Sequence, residues 1–152
     1  QKRKRFFCIG SLIDQNNEIT DFLTSNLSTS HMTVRDYLGD KLGVEAYYRH
    51  PRNYNRRGIF SIDEPAPTIR GVNRPIPPGY TPHKNDKEKD LSKVRPLTSE
   101  ERAWLQTFPE TFIFEGTKTD IEQIIGNAVP VNLAQFVATG IMNFYNNHFK
   151  QL

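Results

Sequence analysis

Six of the eleven arginines in this 152-residue chain fall between residues 47 and 74: Arg49, Arg52, Arg56, Arg57, Arg70 and Arg74. No lysine lies among them, and the only acids in the span are Asp63 and Glu64. Arginine presents a planar fork of donors that matches guanine O6 and N7 together, or grips a phosphate. Asn53, Asn55 and Asn73 offer the bidentate pattern that suits adenine. Such a set fits a nucleic-acid groove. A solvated basic face is the alternative, and composition alone leaves both open. The absence of lysine tips the balance slightly toward the groove, because a merely solubilising face draws on both cations.

Two smaller groups flank this span. At the start of the chain Gln1, Arg3 and Arg5 alternate, and alternating side chains of a strand project to one face. Three such donors together suit a phosphate or a base oxygen; a basic strand end is the plainer reading. Near the other end runs Gly126-Asn127-Ala128-Val129-Pro130. A glycine there lets the backbone come close to a ligand. Asn127 and Ala128 precede an expected helix, whose first N–H groups attract polar or anionic atoms. An ordinary loop between two helices reads the same way. Cys8, the only cysteine, reads as a buried apolar filler.

The elements that must position these groups follow from local pattern. Phe6, Phe7, Cys8 and Ile9 form a continuous apolar run closed by Gly10, which predicts a strand over 5–13 buried on both faces. Residues 14–30 are polar, a loop with a weak helix near 19–23. A short helix is expected over 33–38, capped by Thr33 and ending near Gly39. Two strands, 58–62 and 68–70, flank a proline-rich turn at 63–67. Residues 75–95 read as a linker: Pro75, Pro77, Pro78 and Pro82 stiffen its first half, and mixed charge over 84–93 predicts a mobile, solvated loop. Thr98-Ser99-Glu100-Glu101 is a capping box that opens a helix closed by Phe108-Pro109. Thr119-Asp120-Ile121-Glu122 reads as a second box, opening a short helix stopped by Gly126. Pro130 begins a third helix, with an apolar stripe of Leu133, Val137, Ile141, Phe144 and Tyr145.

The length predicts one domain, two at most. No run of 18 apolar residues occurs, so a transmembrane helix and a membrane partner are not expected. The apolar stretch after the basic start is too short for a secretory signal. A single cysteine rules out a disulfide framework within the chain and favours a reduced, cytosolic setting. With four scattered histidines no metal site is expected. Net charge is +3 and the pI about 9.0, a mild bias that permits a nucleic-acid partner. The chain opens without Met on a basic segment and reads as a piece of something longer, cut just before a strand.

The order of these groups resembles the C-terminal half of the DNA cytosine-5 methyltransferase family. QKRKRFFCIG resembles its eighth motif, a Gln-x-Arg-x-Arg run leading into a strand. RPLTSEERAWLQTFPETF, residues 95–112, is similar to the ninth, and IGNAVPVNLA, residues 125–134, is very similar to the tenth. Between the eighth and ninth the family carries its variable target-recognition domain, and here the arginine-rich span fills that slot. EPAPTIRG, residues 64–71, looks like the Thr-aliphatic signature of that domain.

The resemblance implies an α+β chain: a small target-recognition domain plus the last strand and C-terminal helix of a Rossmann-like S-adenosylmethionine-dependent methyltransferase domain. It implies three segments. Residues 1–45 end the catalytic domain, 46–112 form the recognition domain with the loop 75–95 and the ninth motif, and 113–152 return to the catalytic domain. In the family a Pro-Cys cysteine attacks C6 of a flipped-out cytosine, and C5 takes the methyl group; the base must leave the stack to be reached. By the same resemblance Arg3 and Arg5 are catalytic, holding the target base and nearby backbone. Asn127 and Ala128 touch S-adenosylmethionine, and Thr68, Arg70, Asn73 and Arg74 contact DNA, with Arg56 and Arg57 behind them. Arg95, Leu105 and Phe108 brace the recognition domain.

The Pro-Cys motif, the glycine-rich cofactor loop and the Glu-Asn-Val motif are absent from this sequence. The chain alone is therefore expected to be inactive. Its expected partners are duplex DNA and an N-terminal catalytic half, or a second copy covering the strand at 6–9. The expected setting is a bacterial restriction–modification system, in the cytoplasm beside the nucleoid. A stand-alone DNA-binding module without catalysis, or a fragment whose arginines bind an acidic protein, are the alternatives. Thr107 stands where the family usually has glycine, and is strained if its φ is positive. Ala128 stands where serine is common.

Overall fold

A computed structural model describes residues 3–13, 16, 18–53 and 55–149; Gln1 lies outside the described residues. The elements in chain order are α1 (Glu18–Thr24), α2 (Val34–Leu38), β1 (Ala46–Tyr48), β2 (Ile59–Ser61), a 3-10 turn (Leu91–Lys93), β3 (Arg95–Pro96), α3 (Ser99–Leu105), α4 (Lys118–Asn127) and α5 (Val131–Phe149). They form two compact units, one of residues 1–3 and 32–128, the other of residues 4–31 and 129–152. Residues 32–45 and 113–128 thus fall with the sheet.

The first unit is built on a small mixed sheet in the order β2-β1-β3. β1 pairs antiparallel with β2, Tyr47 opposite Phe60, and parallel with β3. Side chains alternate across a strand, so the two faces carry separate cores. Tyr47, Phe60 and Ile62 pack with Leu97 and with Leu105 of α3 and Ile125 of α4. Ala46, Tyr48 and Ile59 face Ile76, Tyr80, Leu91 and Val94. β1 escaped the sequence reading, and 68–70 does not form the second strand expected. Pro65 and Pro67 lack the N–H that a ladder needs, and the carbonyl of Thr68 accepts instead from the Arg49 side chain.

Residues 75–95 are a loop largely exposed over 84–93, as their charge suggested, but the segment is anchored to the sheet and is not a free linker. Their few apolar side chains cover the second face of the sheet. Their anchor is Asp86, only 6% exposed, which accepts from the N–H groups of Gly58 and Ile59 at 2.8 and 2.9 Å. It also accepts from Tyr80 Oη and His83 N.

Three capping boxes start helices as such boxes should. Thr33 with Asp36 opens α2, which ends at Gly39, and Thr98 with Glu101 opens α3. The third, Thr117 with Asp120, opens α4 two residues before the expected box. That shift turns Glu122 inward, where it is 4% exposed. Gly126 does not stop α4, which runs on to Asn127.

After α3 the chain turns through Thr107 at φ 59°, the only non-glycine with positive φ among the described residues. The strain anticipated from sequence is present. A β-branched residue there costs about 1–2 kcal/mol, so Thr107→Gly should stabilise the unit by about 1 kcal/mol in urea denaturation. A loss of stability would show that the threonine side chain outweighs the strain.

The second unit packs α1 on α5. Phe22 meets Phe144 edge-on, with ring centroids 6.1 Å apart. Gly140 lets Leu23 lie against α5, since a Cβ there would fall 2.6 Å from Leu23 Cδ2. Leu133, Val137, Ile141 and Phe144 lie on the sheltered stripe as expected, but Tyr145 is 39% exposed. Gly140 is buried in its stead. α5 carries no Asp, Glu, Lys or Arg. The stretch Lys118–Phe149 is, by length and composition alone, long and apolar enough to cross a membrane. The expectation against such a segment rested on uninterrupted apolar runs, which the asparagines break.

The segment before α1 is not a strand: residues 3–11 take no regular structure. Phe6 is 90% exposed, and Phe7 and Cys8 are also exposed. Cys8 is therefore no buried filler. An apolar run becomes a strand only beside strands that accept its ladder, and among the described residues it has none.

Candidate nucleic-acid interface

The arginine-rich span folds around a cleft of about 340 Å³ lined by Arg49, Arg52, Arg56, Arg57 and Phe60, with Pro51, Pro65, Ala66, Pro67 and Thr68. The arginines are not equivalent. Arg57 forms a two-pronged bond with Glu64, at 2.9 and 2.8 Å, and its guanidinium lies 4.2 Å from the Phe60 ring centroid. Glu64 also accepts from Ser61 N, so this pair ties the proline-rich turn to β2. Asp63, the other acid of the span, pairs with Arg35, which also holds Asp40 and Glu45. Both acids are committed elsewhere, while Arg52 and Arg56 are exposed. Arg49 is half-buried and donates from Nε to the Thr68 carbonyl. Burial, then the neighbouring Arg70, pull its guanidinium down to about 10.

Residues 70–74 form the second part of the surface. Arg70 donates to the His50 carbonyl, and Tyr48 Oη lies 3.1 Å from His50 Nδ1. Burial, then Arg74 and Arg70, hold His50 below the usual imidazole range. Asn73 is turned inward and donates to the Leu97 carbonyl at 2.7 Å. Arg74 is exposed. Behind this loop lies a buried ion pair, Arg102 with Glu122. Ser99 Oγ donates to Glu122 at 2.6 Å, and Arg102 donates to the Arg70 carbonyl. Of the residues singled out from sequence, Arg56 and Arg74 are free for a ligand. Arg57, Thr68, Arg70 and Asn73 are partly or wholly used by the scaffold.

The turn after α4 is fixed from three sides. Gln106, fully buried, donates from Nε2 to the Ile125 carbonyl at 2.6 Å and to that of Ala128 at 3.4 Å. Arg3 donates to the Gly126 carbonyl at 3.1 Å, joining residues 123 positions apart. The Ala128 N–H closes α4 on Ile124, so it is not one of the unpaired donors the sequence suggested. Asn127 keeps an exposed side chain. Arg5 is half-exposed and belongs to the other unit.

Gly126 is required by packing. A Cβ there would sit 2.0 Å from Gly71 N, a backbone atom that no rotamer change moves away. Gly126→Ala should therefore destabilise the unit by about 2–3 kcal/mol through forced backbone movement. It should displace both the 70–74 loop and the 126–128 turn, read by chemical shifts at both. A change confined to one of them would show that the contact does not couple them.

Arg95 holds Glu101 through two bonds, at 2.7 and 2.6 Å, and donates to the Leu42 carbonyl. Burial alone would raise the Glu101 carboxyl, but Arg95 and the Thr98 N–H outweigh it and hold it below the usual range. The sequence reading passed over Asp86, Gln106 and the Arg102–Glu122 pair. Only the last had a legible sign, two opposite charges inside amphipathic helices.

The profile of the family described as C-5 cytosine-specific DNA methylase matches residues 1–143. The chain is 64% identical over 145 residues to the type II methyltransferase M.HindV of Haemophilus influenzae, covering 95% of this chain and 48% of that protein. It is 53% identical over 146 residues to the type II methyltransferase M.HgiDI of Herpetosiphon aurantiacus, covering 96% and 47%. The chain thus spans about half the length of these curated relatives. No solved structure is a significant match.

Proposed function

Because the chain belongs to the C-5 cytosine-specific DNA methylase family, we propose that it is the DNA-reading and cofactor-closing part of a DNA (cytosine-5-)-methyltransferase. The enzyme transfers a methyl group from S-adenosylmethionine to C5 of a flipped cytosine within a duplex site. In this reading residues 46–112 are the target-recognition domain. Residues 4–31 and 129–152 belong to a Rossmann-like catalytic domain, completed by protein that carries the cysteine nucleophile. By analogy with the type II methyltransferases it matches, the setting is restriction–modification in the bacterial cytoplasm.

The observation that carries the reading is the joining of the two functional segments on one scaffold. The arginine-lined cleft and the 70–74 loop share a unit with the 126–128 turn, and Gly71 lies against Gly126. Arg3 reaches the same turn, so the base-holding arginine and the cofactor turn meet. Arg52, Arg56 and Arg74 face the duplex, while Arg57, Thr68, Arg70 and Asn73 shape the surface. Arg3 and Arg5 bind the target base and its flanking backbone.

S-adenosylmethionine supplies the methyl group. This chain's residues fit one edge of its site: Asn127 presents an exposed carboxamide on a turn that Gln106 and Arg3 hold still. Ala128 contributes its shape there, since its N–H is used by α4. No bound metal is part of this chemistry.

The test is methyl transfer from labelled S-adenosylmethionine to cytosine in duplex DNA. The purified chain should give none, and the chain joined to, or mixed with, a half bearing the Pro-Cys motif should give it. Transfer by the 152-residue chain alone, or none by the completed protein, would overturn the assignment.

A further inference from the structure

The structure assigns the cleft walled by Pro51, Pro65 and Pro67 as a seat for one backbone phosphate of the duplex, held by Arg49, Arg52 and Arg56. The assignment rests on the DNA-reading function proposed above and divides its surface into two parts. The charge balance points to an anion. Of the four arginines at the cleft, Arg57 is neutralised by Glu64. The remaining acid of the span, Asp63, is held by Arg35. Three further arginines therefore line one hollow without a carboxylate of their own. Arg49 is half-buried there, and the like charge of Arg70 and Arg52 depresses its guanidinium further. Such crowding is unfavourable until an anion enters.

The lining also selects phosphate over a base edge. Base edges present mixed donors and acceptors. This cleft offers guanidinium donors and proline walls, and the Thr68 carbonyl is already taken by Arg49. A base inserted here would leave polar atoms unpaired, whereas a phosphate accepts from every side. Phosphate contacts fix register and carry no sequence information. The cleft should therefore hold the duplex in place while the exposed Arg74 on the neighbouring loop does the reading.

The experiment is duplex binding by fluorescence anisotropy with the complete protein, from about 50 to 300 mM KCl. It compares wild type, Arg52→Ala/Arg56→Ala and Arg52→Lys/Arg56→Lys. Both positions are exposed, so the fold tolerates the changes, and circular dichroism checks it. Arg49 is left intact because it supports Thr68. Loss of one phosphate contact should lower the slope of log K against log salt by about 0.9. Affinity should fall roughly tenfold, equally on duplexes of different sequence. The lysine pair should restore most of it, because a phosphate takes a point charge as well as a fork. An unchanged slope with wild-type binding intact would overturn the seat and leave the DNA-reading function standing. A loss confined to some sequences, or no rescue by lysine, would reassign the cleft to base reading. Absence of duplex binding by the wild-type protein would overturn the function and the seat together.

Discussion

Glu122→Gln should lower the stability of the 32–128 unit by about 3–5 kcal/mol, the cost of leaving one partner of a buried ion pair uncompensated. Arg102 is 5% exposed and Glu122 4%. Glutamine keeps the volume and can still accept from Ser99, so the loss isolates the charge. Burial, then Arg70 and Arg49, pull the Arg102 guanidinium down to about 10, and Glu122 is the carboxylate paired with it. Without it the guanidinium faces two other arginines in a dry site. Arg102 also holds the Arg70 carbonyl, so the 70–74 loop should loosen, and duplex affinity should fall with stability. Urea denaturation measures the first and anisotropy the second. The double change Arg102→Met/Glu122→Leu should recover much of the stability, because an apolar pair avoids the desolvation of both ions, yet it should not restore the loop. A Glu122→Gln loss below about 1 kcal/mol would show that water reaches the pair and that the charge does not matter.

What the sequence disclosed here was local, and what it hid depended on distant partners. Thr33 and Thr98 begin helices because a capping box closes on itself within four residues. The strain at Thr107 was flagged only by the resemblance, which places a threonine where the family usually has glycine, and its φ is indeed positive. The strand at 6–9 failed for the opposite reason: its apolar run needs neighbouring strands, and among the described residues it has none. β1 was hidden because Ala46, Tyr47 and Tyr48 are all buried, one face against each core, which removes the alternation that marks a half-buried strand. The site divides in the same way. Arg56 and Arg74 were singled out by the resemblance as DNA contacts, and both are exposed. That Arg57 and Asn73 serve the scaffold depends on Glu64 and on the Leu97 carbonyl. Composition cannot distinguish an arginine that faces a ligand from one that faces a glutamate seven residues on.

Asp86→Ala should cost about 3–4 kcal/mol, and the loss should depend on pH. β2 is an edge strand, and an edge leaves N–H groups without a ladder partner. Asp86 supplies that partner through Oδ1, and its Oδ2 accepts from Tyr80 and His83. Truncation leaves the N–H groups of buried Gly58 and Ile59 unpaired, at about 1–3 kcal/mol each. It also releases Tyr80 from the sheet face that it covers. Asp86→Asn keeps one acceptor and should cost less, about 2 kcal/mol. Burial alone would push the Asp86 carboxyl up, but the bonds from Ile59, Tyr80, His83 and Gly58 outweigh it and hold it below the usual range. A carboxyl depressed in the folded state contributes stability above its unfolded value of about 4, and that contribution fades as pH falls through the folded value. The gap between wild type and Asp86→Asn should therefore be full at neutral pH and shrink in more acidic solution. Urea denaturation across that range measures it. A gap that stays constant into strong acid would mean that the Asp86 carboxyl titrates alike in the folded and unfolded chain, and that it anchors residues 75–95 by shape and not by charge.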